Sequence, residues 1–199
     1  MQPNFDPQPV QLNGRHVRLE PLARRHAEGL FAASRDPDIW TYLTIAQFAQ
    51  VRDVEKWIDD ALLGQQAGNE VAFATVRSSD GRVVGTTRFL DIRRAHRALE
   101  IGWTWIDPEF HRTAVNTEAK YLMLRHAFDE HGAVRVQLKT DERNARSRAA
   151  IARLGCTFEG ILRNYQTYSH GFVRNTAMFS LTTAEWPAVK ARLEERLLK

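Results

Sequence analysis

Residues 106–119 have the composition of a loop that joins a strand to a helix and binds an anion. The backbone N–H groups of residues 111–117 would converge at the start of that helix, where the helix dipole is positive. Arg112 could add charge-assisted contacts to the same ligand. A diphosphate is therefore the expected ligand. The alternative is an ordinary strand–helix loop in which Asn116 or Thr117 is the N-cap.

Hydrophobic periodicity predicts the elements that would position this loop, in the order β-α-α-β-β-β-α-β-α-β-β-α. The first strand stops at a proline, which suits an edge strand. Strands are predicted at residues 15–22, 71–77, 83–90, 98–106, 134–140, 158–165 and 173–181, and helices at residues 22–36, 51–65, 117–131, 145–154 and from 182 or 183 to 197.

The strand, helix and strand within residues 98–140 predict a parallel crossover inside an otherwise antiparallel sheet. The predicted fold class is therefore mixed α+β, with a central, mostly antiparallel sheet of about seven strands. A chain of 199 residues suits one domain. We expect a flexible N-terminal arm over residues 1–10 and a single domain over residues 11–199.

Composition, net charge and cysteine content limit the classes of protein to which this chain can belong. With 43% hydrophobic and 26% charged residues, the chain is expected to fold. The net charge of +4 is mild and its basic residues are scattered, so nucleic acid is not expected as a partner. The sequence shows no secretory signal peptide and no apolar stretch long enough to span a membrane. Cys156 is the only cysteine, and its neighbours indicate a buried core residue. These features predict a cytoplasmic protein without membrane contact.

Four blocks in order carry a family resemblance: residues 100–103, the loop at 106–119, residues 141–147 and residues 154–160. Through them the chain resembles, over residues 14–181, the GNAT acyltransferases, and in particular their Rim-type branch, which is related to ribosomal-protein N-terminal acetyltransferases. The resemblance implies the GNAT acyl-CoA N-acyltransferase fold, with helices on both faces of the sheet. It also implies a cleft where two central strands separate, with the pantetheine arm of acetyl-CoA between them.

The resemblance implies acetyl-CoA as the acyl donor. No metal is expected, since the seven histidines lack ligand spacing. The cofactor-binding residues carried over are Trp105, Ile106, His111, Arg112, Thr113, Ala114, Val115, Asn116, Thr117 and Asn144.

One departure from the family concerns the loop. The family pattern is Gln/Arg-x-x-Gly-x-Gly/Ala, whereas this chain has Ala114 and Asn116 at the two small positions. Ala114 still allows the backbone to approach a phosphate closely. The side chain of Asn116 must point away or donate to the phosphate, and the change could instead indicate a different acyl donor.

Catalytic roles also follow from the resemblance. Glu100 matches the position of a general base in the histone-acetyltransferase branch, and burial would raise its pKa. An exposed residue on a strand is the alternative, and Glu109 is a second candidate base. Ser147, three residues after Asn144, matches a serine of the Rim-type branch that can donate a proton to the thiolate. Because Ile151 occupies the place of the tyrosine that many other members use, the resemblance leaves the acid role to Ser147. Otherwise Ser147 is an ordinary residue of the first helical turn, and Asn144 is its N-cap, a pantetheine ligand or both.

The acyl acceptor is not encoded in a readable pattern. Two groups of residues could border the acceptor cleft. The first is Trp40, Tyr42, Phe48 and Trp57 around the first two helices, although aromatic residues at helical spacing usually belong to the core. The second is Tyr165, Tyr168 and His170 in the last hairpin, although an exposed loop without a functional role is the alternative there. The leading hypothesis is transfer of an acetyl group to a primary amine of a protein N-terminus, an amino acid or a small molecule. A catalytically weak module that binds CoA or a ribosomal partner is the alternative, and basicity alone suggests an RNA-associated protein. A homodimer is a further expectation, since edge strands commonly pair.

Overall fold

The computed structural model describes residues 5–168 and 171–198. An eight-stranded sheet runs through these residues in the order β1-β2-β3-β4-β5-β6-β8-β7, and five α-helices pack on its two faces. The strands are β1 Leu12–Asn13, β2 Val17–Pro21, β3 Val71–Arg77, β4 Val83–Arg93, β5 Ala98–Ile106, β6 Arg135–Asp141, β7 Thr157–Thr167 and β8 Val173–Thr182, and the helices are α1 Ala27–Ala33, α2 Val51–Gln66, α3 Ala114–Arg125, α4 Ala145–Leu154 and α5 Trp186–Leu198.

The predicted order of elements and the mixed α+β class are confirmed. The sheet has eight strands because the short β1 pairs with β2, so β2 is not an edge strand as predicted. Every strand pair is antiparallel except β5 and β6, which form the predicted parallel crossover. Part of the predicted arm packs against this body, since Phe5 is buried in the core and Asp6 is bonded to Arg94.

Two separate apolar clusters lie on the two faces of the sheet. One contains residues of α3, α4 and α5, packed on side chains such as Leu99 and Ile101 of β5. The other contains residues of α1 and α2, packed on side chains such as Ala72 and Trp105. Alternation along the strands sends neighbouring residues to opposite faces. The predicted placement of helices on both faces is therefore confirmed.

β5 and β6 separate after a short paired stretch. They pair only at Ala98–Arg135, Leu99–Val136 and Glu100–Gln137. Beyond that point, residues 101–106 of β5 and 138–141 of β6 have no pairing with each other. We call the space between these two stretches the wedge. It opens away from Glu100 and Gln137, which lie at its closed end.

A β-bulge bends β5 within the wedge. Thr86 pairs with Trp105 and Arg88 with Gly102, so Thr87 of β4 faces two residues of β5 instead of one. Trp103, one of the two, has a positive φ of 50°. Bulges of this kind re-aim the side chains of a strand. Here the bulge sends Thr104 to the face that α3 covers, where it contacts Thr87.

β7 forms one edge of the sheet, and its side chains are largely exposed. The exposed apolar residues of this hairpin are Phe158, Ile161, Leu162, Tyr165, Phe172 and Val173. The expected homodimer stays a prediction.

Candidate active site

Helix α3 begins at the open end of the wedge. Its N-cap is Thr113, whose hydroxyl accepts a hydrogen bond from the Val115 N–H at 3.3 Å and donates to the Phe110 carbonyl at 2.8 Å. The sequence-based N-caps, Asn116 and Thr117, are wrong, because the helix starts at Ala114. The N–H groups of a first helical turn have no partner within the helix and can bind an anion. Residues 111–117 thus have the geometry that an anion site needs.

Helix α4 also begins at the open end of the wedge. Asn144 is its N-cap, and its Oδ1 accepts a hydrogen bond from the Ser147 N–H at 2.9 Å. Nη1 of Arg146 lies 3.5 Å from Nδ1 of His111, which joins the start of α4 to the loop before α3. The half-buried Ser147 lies in the first turn of α4. Two helix N-termini are therefore held side by side.

The charges around these two N-termini come from arginines. Burial lowers the pKa of His111, and the nearby charge of Arg146 lowers it further. His111 is therefore a neutral hydrogen-bonding group at neutral pH, not a cation. Arg112 is exposed and has a positive φ of 64°. A ligand phosphate at this end would meet Arg112 and Arg146 as its cations.

An open groove of about 520 Å³ reaches the start of α3 from the side of the β3–β4 turn. Its walls combine basic side chains with apolar surface, and the Arg77 guanidinium lies over the Phe110 ring at 4.9 Å from the centroid. The lining residues are Arg15, His16, Arg77, Ser78, Ser79, Glu109, Phe110, Thr113, Ala114 and Val115. This groove gives a bulky anionic ligand access to the same N–H groups.

A buried ion pair lies at the closed end of the wedge. Glu100 is only 1% exposed, and its Oε2 lies 2.9 Å from Nζ of Lys139 on β6. Nε2 of Gln137 also donates to Oε2, at 3.3 Å. A Cβ on Gly102 would come within 2.8 Å of Glu100 Oε1, so the glycine leaves room for the carboxylate. The interpretation of Glu100 as an exposed strand residue is wrong.

An aromatic cluster covers the wedge on the α2 face. Trp105 is 6.0 Å from Trp40 and 6.4 Å from Trp57, measured between ring centroids, and Phe48 packs between the last two. Nε1 of Trp105 is buried and has no hydrogen-bond partner among the described residues. Trp103 is half-buried and continues the cluster toward the wedge.

The β7–β8 hairpin closes the same side. The Tyr168 hydroxyl donates to Asp141 at 2.8 Å, and the Arg143 guanidinium lies 5.9 Å from the Tyr42 ring centroid. The Tyr165 ring lies 5.2 Å from the ammonium of Lys139. His170, a sequence candidate in this hairpin, lies outside the described residues.

The family profile of the acetyltransferase (GNAT) domain matches residues 16–157 of the chain. The chain belongs to this family. A GCN5-related N-acetyltransferase from Brucella melitensis is 33% identical, with a TM-score of 0.92 over 99% of this chain and 89% of that one.

Other relatives lie in the Rim-type branch that the sequence indicates. The putative ribosomal N-acetyltransferase YdaF of Bacillus subtilis (strain 168) is 31% identical over 111 residues, which is 56% of this chain and 60% of that protein. RimJ of Mycobacterium smegmatis, solved in complex with CoA-disulfide, shares the fold with a TM-score of 0.81 at 21% identity, over 98% of this chain and 97% of that one.

Glu109 of this GNAT domain does not lie at the closed end of the wedge. Its side chain is 59% exposed and paired with Arg82 of the β3–β4 turn at 2.8 Å. The structure therefore does not bring Glu109 together with Glu100, and of the two sequence candidates for a base only Glu100 lines the wedge.

Sequence reasoning missed a buried polar cluster on the α3 face of this GNAT domain. Nζ of Lys120 donates to Oγ1 of Thr87 at 2.8 Å and to Oγ1 of Thr104 at 2.5 Å. The available signal was a lysine inside the apolar stripe of α3, between Ala119 and Leu122.

Two negative findings apply to the described residues alone. Residues 5–168 and 171–198 contain no group of three or more potential metal-ligating side chains. Within the same ranges, no helix is both long and apolar enough to cross a membrane.

Proposed function

We propose that this GNAT acetyltransferase moves an acetyl group from acetyl-CoA to a primary amine by direct transfer. The acceptor is the N-terminus of a protein, an amino acid or a small-molecule amine. One observation carries the proposal: the wedge between β5 and β6 opens toward the N-termini of α3 and α4. A ligand held by its phosphates at these helices can extend an arm between the two strands.

The residues present fit the diphosphate end of CoA. The first-turn N–H groups of α3 supply donors, Arg112 and Arg146 supply charge, and Ala114 is small enough for close approach. Asn144 would bind the pantetheine amides in addition to capping α4. The RimJ neighbour of the same fold, solved with CoA-disulfide, supports this choice of donor.

The edges of the two strands also suit the pantetheine arm and the thioester. Because β5 pairs with β4 on one side and leaves β6 on the other, alternate N–H and C=O groups of residues 101–106 face the wedge without a sheet partner. A backbone N–H near Trp105 or Ile106 would polarise the thioester carbonyl.

Glu100 would take the proton that the attacking amine loses, directly or through water. Its carboxylate is buried at the closed end of the wedge, where Oε2 lies 2.9 Å from the Lys139 ammonium. The aromatic cluster of Trp40, Phe48 and Trp57 lies on the α2 face, where an acceptor would enter. Ser147 would donate a proton to the leaving thiolate.

A thiol-release assay with acetyl-CoA and a panel of amines tests this proposal. We expect turnover with at least one amine, and a loss of about 100-fold or more in kcat for Glu100→Gln. Ser147→Ala should lower kcat less, because water can also protonate a thiolate. Glu109→Gln is the matched control, since it removes an exposed carboxylate and should leave kcat unchanged. CoA binding without turnover, unaltered by Glu100→Gln and Ser147→Ala, would favour the non-catalytic module.

A further inference from the structure

Lys120 is a buried ionisable residue that the proposed function leaves unassigned. It is 4% exposed and lies on α3, facing the sheet between β4 and β5. Its described partners are two hydroxyl groups, those of Thr87 and Thr104, which also lie 2.8 Å from each other. An ammonium has three protons to donate, so two hydroxyls do not satisfy it.

No described carboxylate lies within ion-pair distance of Lys120. Burial lowers the pKa of Lys120 to about 7, and among the described residues Cys156 acts on this pKa in the opposite direction. Burial in turn raises the pKa of the Cys156 thiol to about 12, so Cys156 supplies no negative charge at neutral pH. A buried ammonium without a counter-ion is costly, which is typical of groups that serve a site.

The cluster lies beside the wedge. Lys120 is six residues after Ala114, about 9 Å along α3 from the helix N-terminus toward the closed end. Thr104 lies in the bulge of β5, among the residues that β6 leaves unpaired, and is partly exposed. Thr87, by contrast, is 1% exposed within β4. Thr104 is therefore the member of the cluster that borders the wedge, and its hydroxyl contacts Lys120 and Thr87 and donates to the Gly102 carbonyl at 3.4 Å.

We propose that Lys120 and Thr104 form a proton-donating pair for the CoA thiolate that leaves during acyl transfer. Lys120 does not contact the sulfur itself. It acts through the Thr104 hydroxyl, and we therefore call it a positioning residue. The acceptor nitrogen bonds to the acyl carbon, the carbon–sulfur bond breaks, and its electron pair stays on sulfur. Thr104 gives its proton to sulfur and takes one from the Lys120 ammonium, and the amine proton passes to Glu100 and then to solvent. When CoA has left, the Lys120 amine takes a proton back from solvent through the Thr104 hydroxyl, which restores the starting state. The pair rests on the proposed function and adds a second proton source beside Ser147.

The pKa of the bound CoA thiol tests the pair without any turnover. Thiolate ultraviolet absorbance of the CoA complex would be followed across pH, and Cys156 stays silent because of its raised pKa. We expect a thiol pKa below that of free CoA in the wild type, and an increase of about one unit or more in Lys120→Met. Thr104→Val should give a similar increase. Thr87→Val is the matched control, since it also removes one lysine hydrogen bond but leaves the wedge hydroxyl, and its shift should be smaller.

The pH profile of kcat gives a second readout. Because the acid must be protonated, the wild-type rate should fall as the pH rises through the pKa of the pair, and Lys120→Met should lose this limb. If Lys120→Met and Thr104→Val bind CoA and keep the wild-type thiol pKa and pH profile, the pair is structural and the proposal is wrong. If the wild type binds no CoA, the donor site itself fails, and the proposed function fails with it. Should Lys120→Met not fold, Thr104→Val alone decides between these outcomes.

Discussion

Glu118 and Lys120, two residues apart on α3, are both buried ionisable side chains, but their hydrogen-bond partners differ. Glu118 faces the turn before β2, where its carboxylate accepts hydrogen bonds from the N–H groups of Arg15, His16 and Val17 at 2.9, 2.6 and 2.8 Å. Lys120 faces β4 and β5, where its partners among the described residues are the hydroxyl groups of Thr87 and Thr104. Both residues are about equally buried, at 5% and 4% exposed. Burial of a charge therefore does not by itself reveal its role.

The difference lies in how completely each charge is compensated. Three backbone donors satisfy Glu118, and a Cβ on Gly14 would come within 2.5 Å of its carboxylate, so this turn is built around the side chain. We infer that this region fixes α3 to the sheet. Lys120 keeps unused donor capacity next to the wedge, which is what a group awaiting a ligand requires. The predictions below test this contrast.

Glu118→Gln should have the largest effect on stability. The amide keeps the shape but loses the charge, and its NH₂ group faces backbone N–H groups that need an acceptor. We expect a loss of about 3 kcal/mol in the free energy of unfolding, measured by urea denaturation. The exposed Glu109→Gln should change it by less than about 0.5 kcal/mol. If both substitutions changed the free energy of unfolding equally and only slightly, Glu118 would have no structural role of this kind.

Lys120→Met should have the opposite sign and raise the free energy of unfolding by about 2 kcal/mol at pH 6. The folded-state pKa of Lys120, about 7, is below the ordinary lysine pKa of 10.5, so the unfolded chain binds more protons between these values. Wild-type stability should therefore rise with pH from about 7 toward about 10, and the advantage of Lys120→Met should shrink over that window. Urea denaturation at several pH values measures this. A destabilised Lys120→Met at pH 6 would contradict the account.

Asn116→Ala should have the smallest effect on the free protein. Asn116 Oδ1 is buried and has no hydrogen-bond partner among the described residues, so its loss should change the free energy of unfolding by less than about 1 kcal/mol. If the amide binds CoA, affinity measured by calorimetry should fall by about 5-fold, the loss of roughly one hydrogen bond. A large loss of stability with unchanged affinity would place Asn116 with Glu118 among the structural residues.

Most elements could be predicted because their signals are local. The limits of β3, β5 and α4 agree with the periodicity of the sequence, as does the parallel crossover. The start of α3 was predicted three residues late, since Thr113 was not recognised as the cap and Asn116 was. Residues 126–130 form a π-helical turn after α3, which a 3.6-residue period cannot reveal.

The site was only partly predictable because its decisive contacts join distant parts of the chain. Local patterns and family resemblance predicted three parts of the site: the loop before α3, Asn144 and Glu100. The pairing of Glu100 with Lys139 depends on the parallel register of two strands. The Lys120 cluster depends on the bulge at Trp103, where no glycine indicated a positive φ. The Glu100–Lys139 contact has no signal within a single window of sequence, and the lysine in the apolar stripe of α3 indicates a buried charge without indicating its partners.

The most direct test is a calorimetric titration of acetyl-CoA into the wild-type protein and into Ala114→Pro. Proline is tolerated at the first helical position, and Thr113 already has the extended conformation that precedes a proline. The substitution therefore removes one N–H group from the start of α3 without breaking the helix. We predict one saturable site per chain in the wild type and an affinity about 10-fold lower in Ala114→Pro at unchanged stability. Equal affinities, or no binding of acetyl-CoA to the folded wild type, would contradict the account.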